Sequence, residues 1–146
     1  MTGALLAGKT ILVVEDTLEN MRLFRAILKL EGAEVLEAER ARRGLELAAS
    51  GAPDAILMDL QMPDMDGLTA VRSLKSDPAT QAIPVIVVTA FAMEQERRNS
   101  FAAGCDAFVT KPIDPANLVK QILEFVGPHS ASQARPISDQ DSIRGA

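Results

Sequence analysis

Four apolar runs, each closed by a reactive or charged side chain, constrain this chain more than any other feature. Ile11-Leu12-Val13-Val14 runs into Glu15-Asp16, and Ala55-Ile56-Leu57-Met58 into Asp59. Val85-Ile86-Val87-Val88 runs into Thr89, and Phe108-Val109-Thr110 into Lys111-Pro112. Each run is short, apolar and rich in β-branched residues, as a strand buried on both sheet faces requires. If the strands are parallel neighbours, the closing groups gather at one edge of the sheet. Three carboxylates, a hydroxyl and an ammonium then share one pocket, suited to a divalent cation and a phosphoryl group.

The rest of the chain supplies the connections such a sheet needs. Strand and helix alternate five times. Strands are expected at about Thr10–Glu15, Glu34–Ala38, Asp54–Met58, after Pro84, and at Ala107–Thr110. Helices are expected at about Leu18–Leu30, Ala41–Ala49, Gly67–Lys75, Met93–Ala103 and Asn117–Val126. Gly32, Gly51 and Gly104 serve as stops, and Asp114 with Pro115 opens the last helix. The more polar second strand suits an edge. This alternation implies an α/β fold, a parallel sheet with right-handed crossovers and helices on both faces. Ligands of such sheets bind beyond the carboxyl ends of the strands. Residues 1–8 read as a short N-terminal extension, 9–127 as one domain, and 128–146 as a polar, disordered tail.

Composition narrows the function classes. The net charge is −5, with neither Trp nor Tyr, which disfavours nucleic acid as a partner. No segment approaches the roughly 18 apolar residues of a membrane span, and the opening residues lack the form of a secretory signal. Cys105 is the single cysteine, so no internal disulfide or cysteine metal cluster can form, and a cytoplasmic setting fits.

Glu15, Asp16 and Asp59 brought together repel one another, by roughly 4 kcal/mol for two charges about 4 Å apart at an effective dielectric of 20. Oxygen ligands on an exposed rim favour Mg²⁺, with Mn²⁺ as a substitute. An ionised aspartate not consumed by the metal can attack phosphorus. Lys111 and Thr89 could each hold one phosphoryl oxygen, since phosphoryl transfer depends chiefly on positioning and charge neutralisation.

Taken in order, these motifs resemble the receiver domain of two-component response regulators. The residues that carry the resemblance are Val13-Val14-Glu15-Asp16, Met58-Asp59-Leu60-Gln61-Met62-Pro63 with Asp66-Gly67, Val88-Thr89-Ala90, and Thr110-Lys111-Pro112, across about Lys9 to Gly127. The resemblance implies a flavodoxin-like sheet of order 2-1-3-4-5. It implies Asp59 as phosphoacceptor, with Asp16, Asp59 and the Gln61 backbone carbonyl as metal ligands and Glu15 at the other acidic position. It implies Thr89 as switch hydroxyl, Lys111 as phosphate-binding lysine and Phe108 as switch aromatic. Glu15 replaces the commoner Asp. The chain is similar to single-domain regulators of the chemotaxis and cell-division types, the run Thr89-Ala90-Phe91-Ala92-Met93 favouring the latter. The partners implied are a histidine kinase or phosphotransfer protein and an unnamed downstream protein, with a homodimer through the last helices as a further expectation.

Several residues have plainer readings. Asp64 and Asp66 are expected to be solvated turn residues, and the charges from Glu94 to Arg98 a solvated helix face. Cys105 is expected to pack quietly, His129 to be a spectator, and Phe91 and Met93 to belong to either core or partner surface. In the first helix Met21, Leu23, Phe24, Ile27, Leu28 and Leu30 cover more than the stripe a core needs, so a partner is expected on the surplus. Phe108 lacks a hydroxyl, so its inward position strands no polar group and is expected to be populated without phosphate. The function expected is a phosphoacceptor with modest self-dephosphorylation rather than a turnover enzyme. The rivals are a small phosphatase with an aspartyl-phosphate intermediate, disfavoured by Gln61 where a second Asp is wanted, a phosphate sink, and a phosphate-independent interaction domain.

Overall fold

The computed structural model describes residues 4–90 and 93–127. Strands β1 (Thr10–Val14), β2 (Glu34–Ala38), β3 (Ala55–Met58), β4 (Val85–Thr89) and β5 (Ala107–Thr110) alternate with helices α1 (Leu18–Leu30), α2 (Ala41–Gly51), α3 (Gly67–Ser76), α4 (Glu94–Ala103) and α5 (Pro115–Val126). The strands form one parallel sheet in the order β2-β1-β3-β4-β5. The polar β2 is indeed an edge, with Glu34 and Glu37 exposed. Phe91, Pro128, His129 and the expected tail lie outside the described residues.

Side-chain alternation along the strands divides the core into two layers. Ile11, Val13, Leu57, Ile86 and Val88 meet Met21, Phe24, Ile27 and Leu28 of α1 and Leu118, Val119 and Ile122 of α5. Leu12, Val14, Ile56, Met58, Val85 and Val87 face α2, α3 and α4 on the other side. Both faces are therefore covered, which is why the three central strands are apolar except for Thr10 and Thr89 at their ends. A fully buried Ile or Leu contributes roughly 1.5–3 kcal/mol relative to its exposed state, and Ile11, Leu12, Ile56, Leu57 and Ile86 are all of this kind.

Helix ends fall close to the expected stops and starts. α2 continues through Gly51, and Ala52 takes the left-handed turn at φ 45°. A Cβ on Gly51 would stand 2.7 Å from Leu36 Cδ1, the movable end of that side chain, and the helix stops at this glycine with the left-handed residue just after it. α5 begins at Pro115, whose fixed φ suits the first helical position. Gly67 opens α3 against the backbone of Leu60, where an added Cβ would meet the carbonyl oxygen at 2.7 Å.

Before β1, residues 4–8 form a turn that the strand pattern does not announce. Leu6 donates its N–H to the Glu31 carbonyl at 2.9 Å. Its side chain has no solvent exposure and belongs to the layer beneath α1 and α5.

Candidate functional site

Parallel register assembles the strand ends. Val14 lies opposite Met58, so Glu15 and Asp59 follow side by side. The Glu15 N–H bonds the Ala38 carbonyl at 2.9 Å and the Asp59 N–H bonds that of Val14 at 3.1 Å, which carries the ladder just past the strands. On the other side Thr89 lies opposite Thr110, and the Lys111 N–H donates to the Thr89 carbonyl at 2.9 Å. Lys111 is thereby anchored at the strand edge, and its bond to Pro112 is cis.

One carboxylate oxygen each from Glu15, Asp16 and Asp59 lies within 4.8 Å of the others. The Lys111 ammonium sits 3.0 Å from Glu15 Oε1 and 3.3 Å from Asp59 Oδ2, so part of the mutual repulsion is already offset by a cation from the chain itself. The other Glu15 oxygen accepts from the Thr17 N–H at 3.2 Å and from Asn20 Nδ2 at 3.3 Å. Glu15 is 1% exposed, so these contacts fix it firmly. Asp59 accepts from the Gln61 N–H at 3.1 Å and retains 5% exposure, at the floor of the cluster. Asp16 is exposed at the rim and leaves the cluster open on that side. Three hard oxygen donors without His or Cys suit Mg²⁺. Thr89 is fully buried at the same sheet edge.

A family model for the response regulator receiver domain matches residues 11–123. The chain is a response regulator receiver domain. It is 38% identical over 119 residues to the polar-differentiation response regulator DivK of Brucella anthropi, covering 82% of this chain and 97% of that protein. The DivK of Brucella abortus matches to the same extent. Among solved structures, the receiver domain of a sensor histidine kinase from Pseudomonas aeruginosa shares 31% identity at a TM-score of 0.77, over 83% of this chain and 99% of that one. That protein holds a magnesium ion coordinated in its active-site cleft. A CheY-like receiver domain from Methanospirillum hungatei shares 31% identity at a TM-score of 0.74, covering 80% of this chain and 91% of that one.

The receiver fold also uses residues that local pattern left idle. Asn20, five positions beyond the acid, holds Glu15 from the first turn of α1. Asp64 is not simply solvated: it accepts from the Ala41 and Arg42 N–H groups at 2.9 and 3.1 Å and so caps α2 from the β3–α3 loop. These backbone bonds, that of Arg42 foremost, hold its carboxyl below the usual range. Asp66 sits at the N-cap position of α3 and accepts from the Thr69 hydroxyl at 3.3 Å. On the expected solvated face of α4, Glu94 and Arg98 form an exposed pair at 3.3 Å, whereas Arg97 lies over the rings of Phe101 and Phe108. Cys105 is buried, and burial pushes its thiol up to about 11, so it packs as an inert apolar group. No helix among the described residues is long and apolar enough to cross a membrane.

Proposed function

We propose that this receiver accepts a phosphoryl group on Asp59 from the phosphohistidine of a kinase or phosphotransfer protein and signals through altered binding to a downstream protein. The observation that carries this reading is the Lys111 ammonium bridging Asp59 and Glu15 inside a three-carboxylate cluster. Asp59 Oδ attacks phosphorus, the N–P bond breaks, and the imidazole, protonated on its other ring nitrogen, leaves as the neutral base. Lys111 stays within reach of the phosphoryl oxygens, and the Thr89 hydroxyl closes on the group from β4. Glu15, Asp16, Asp59 and the Gln61 carbonyl would hold Mg²⁺, which when bound neutralises phosphoryl charge. Asn20 and the Gln61 N–H keep two of these carboxylates in place.

The donor docks on α1. Leu18 and Leu23 are exposed on that helix although Met21, Phe24, Ile27 and Leu28 turn inward. Further along the helix, the last turns of α1 frame, together with α5, an apolar groove of about 770 Å³ lined by Leu5, Ile27, Leu30, Val119 and Leu123. A helix presenting phosphohistidine can bury its own apolar face there. The downstream partner reads the α4 side, where Met93 and Phe101 are exposed. The protein acts in the cytosol as a relay with modest self-dephosphorylation.

Incubation with acetyl phosphate and Mg²⁺, read by intact mass, tests the chemistry. The parent chain gains one phosphoryl group, Asp59→Asn gains none, and Lys111→Ala gains it far more slowly. An Asp59→Asn chain that phosphorylates as readily as the parent overturns the proposal.

A further inference from the structure

Arg97 leaves α4 in solvent, and its guanidinium carbon stands 5.2 Å from the Phe101 ring centroid and 5.8 Å from that of Phe108. A cation within about 6 Å of a ring centroid is held by the ring's negative face. Phe101 is one turn along the same helix, whereas Phe108 belongs to β5. A single side chain thus joins two elements. Its helix neighbour Arg98 pairs with Glu94, while Arg97 forms no ion pair among the described residues, so its guanidinium is committed to the rings.

The second ring matters because of where it stands. Phe108 lies opposite Val87 in the sheet, and Thr89 is two residues further along β4. Residues two apart on a strand share a face. The Phe108 ring and the Thr89 side chain therefore occupy one face of the sheet, the ring half-buried and the threonine fully buried. A ring drawn deeper toward Thr89 leaves the reach of a guanidinium held in solvent.

We infer that Arg97 is a positioning residue that holds Phe108 in its half-exposed place and thereby sets how readily Thr89 closes on a phosphoryl group at Asp59. The inference rests on the phosphoacceptor reading above. The inward arrangement forfeits one of two stacks. An exposed cation–π contact biases a two-state equilibrium by roughly two- to fivefold. Arg97 thus opposes the ease of burial that the missing hydroxyl gives Phe108, and phosphorylation frees its guanidinium beside Phe101.

Beryllofluoride with Mg²⁺, an acyl-phosphate mimic, provides the test on the full chain. Arg97→Gln is expected to bind it about two- to fivefold more tightly than the parent, and to move the free protein's Phe108 ring resonances toward their beryllofluoride-bound positions. Arg97→Lys, which keeps the charge but stacks less well, falls between. In a Thr89→Ala background the Arg97→Gln effect on affinity disappears. Equal or weaker binding by Arg97→Gln, or an effect undiminished by Thr89→Ala, overturns the inference while leaving the phosphoacceptor reading intact. Failure of the parent itself to bind beryllofluoride at Asp59 overturns both.

Discussion

Lys111 Nζ stands 3.0 Å from Glu15 Oε1, although 96 positions of chain separate the two residues. The acid is almost wholly enclosed, and the ammonium is the cation that makes its charge tolerable there. Removing one partner of a buried pair leaves the other uncompensated and costs about 3 kcal/mol. Lys111→Met should therefore lower the stability of the metal-free protein by about that amount. Mg²⁺ should recover more stability in the variant than in the parent, because there it replaces the lost positive charge. Urea unfolding with and without Mg²⁺ checks both expectations.

Asp64 should confer a pH dependence on stability. Its carboxyl is held below the ordinary value of 3.8 by the N–H groups that open α2. An acid depressed in the folded state stabilises above its unfolded pKa, and that contribution is lost as pH falls through the folded pKa. The parent should thus unfold at higher urea than Asp64→Ala at pH 6, and the difference should shrink steadily as the pH falls below about 3.8.

Gly67 should resist substitution. A Cβ there would press on the Leu60 backbone, which cannot move without moving Asp59 beside it. Gly67→Ala is expected to cost about 2 kcal/mol as an overpacked site. It should also slow acetyl phosphate labelling, since Gln61 and its hydrogen bond to Asp59 lie in the same loop. Urea unfolding and intact mass measure the two effects.

Ala52 offers the opposite experiment. It holds φ at 45°, where a side chain is strained. Ala52→Gly relieves the strain but loosens the unfolded chain. The net expectation is a gain of about 0.5–1 kcal/mol, visible as a higher urea midpoint with unchanged phosphorylation.

The apolar runs and their terminal groups were legible because a buried central strand must be apolar over its whole length, and parallel pairing then aligns the ends. Glu15, Asp59, Thr89 and Lys111 could therefore be assigned to one edge from sequence. The edge position of β2 followed from its polarity, whereas the pattern of α1 showed an apolar surplus without saying which residues, Met21, Phe24, Ile27 and Leu28, turn inward. What stayed hidden depends on distance in space alone. Asp64 caps a helix that begins 23 residues earlier, and nothing near it in the chain marks that role. Arg97 sits in a run of charges that reads as solvated, and only the approach of β5 gives its guanidinium a second ring.

The family match starts at residue 11, yet Leu6 is enclosed beneath α1 with its amide tied to Glu31. A chain trimmed to residues 11–123 would keep every acid of the cluster and lose a piece of its own interior. The void would open at the foot of the sheet, far from the chemistry, and cost about 3 kcal/mol by analogy with removing a buried leucine. The interior of this domain reaches back beyond the first residue of its sheet.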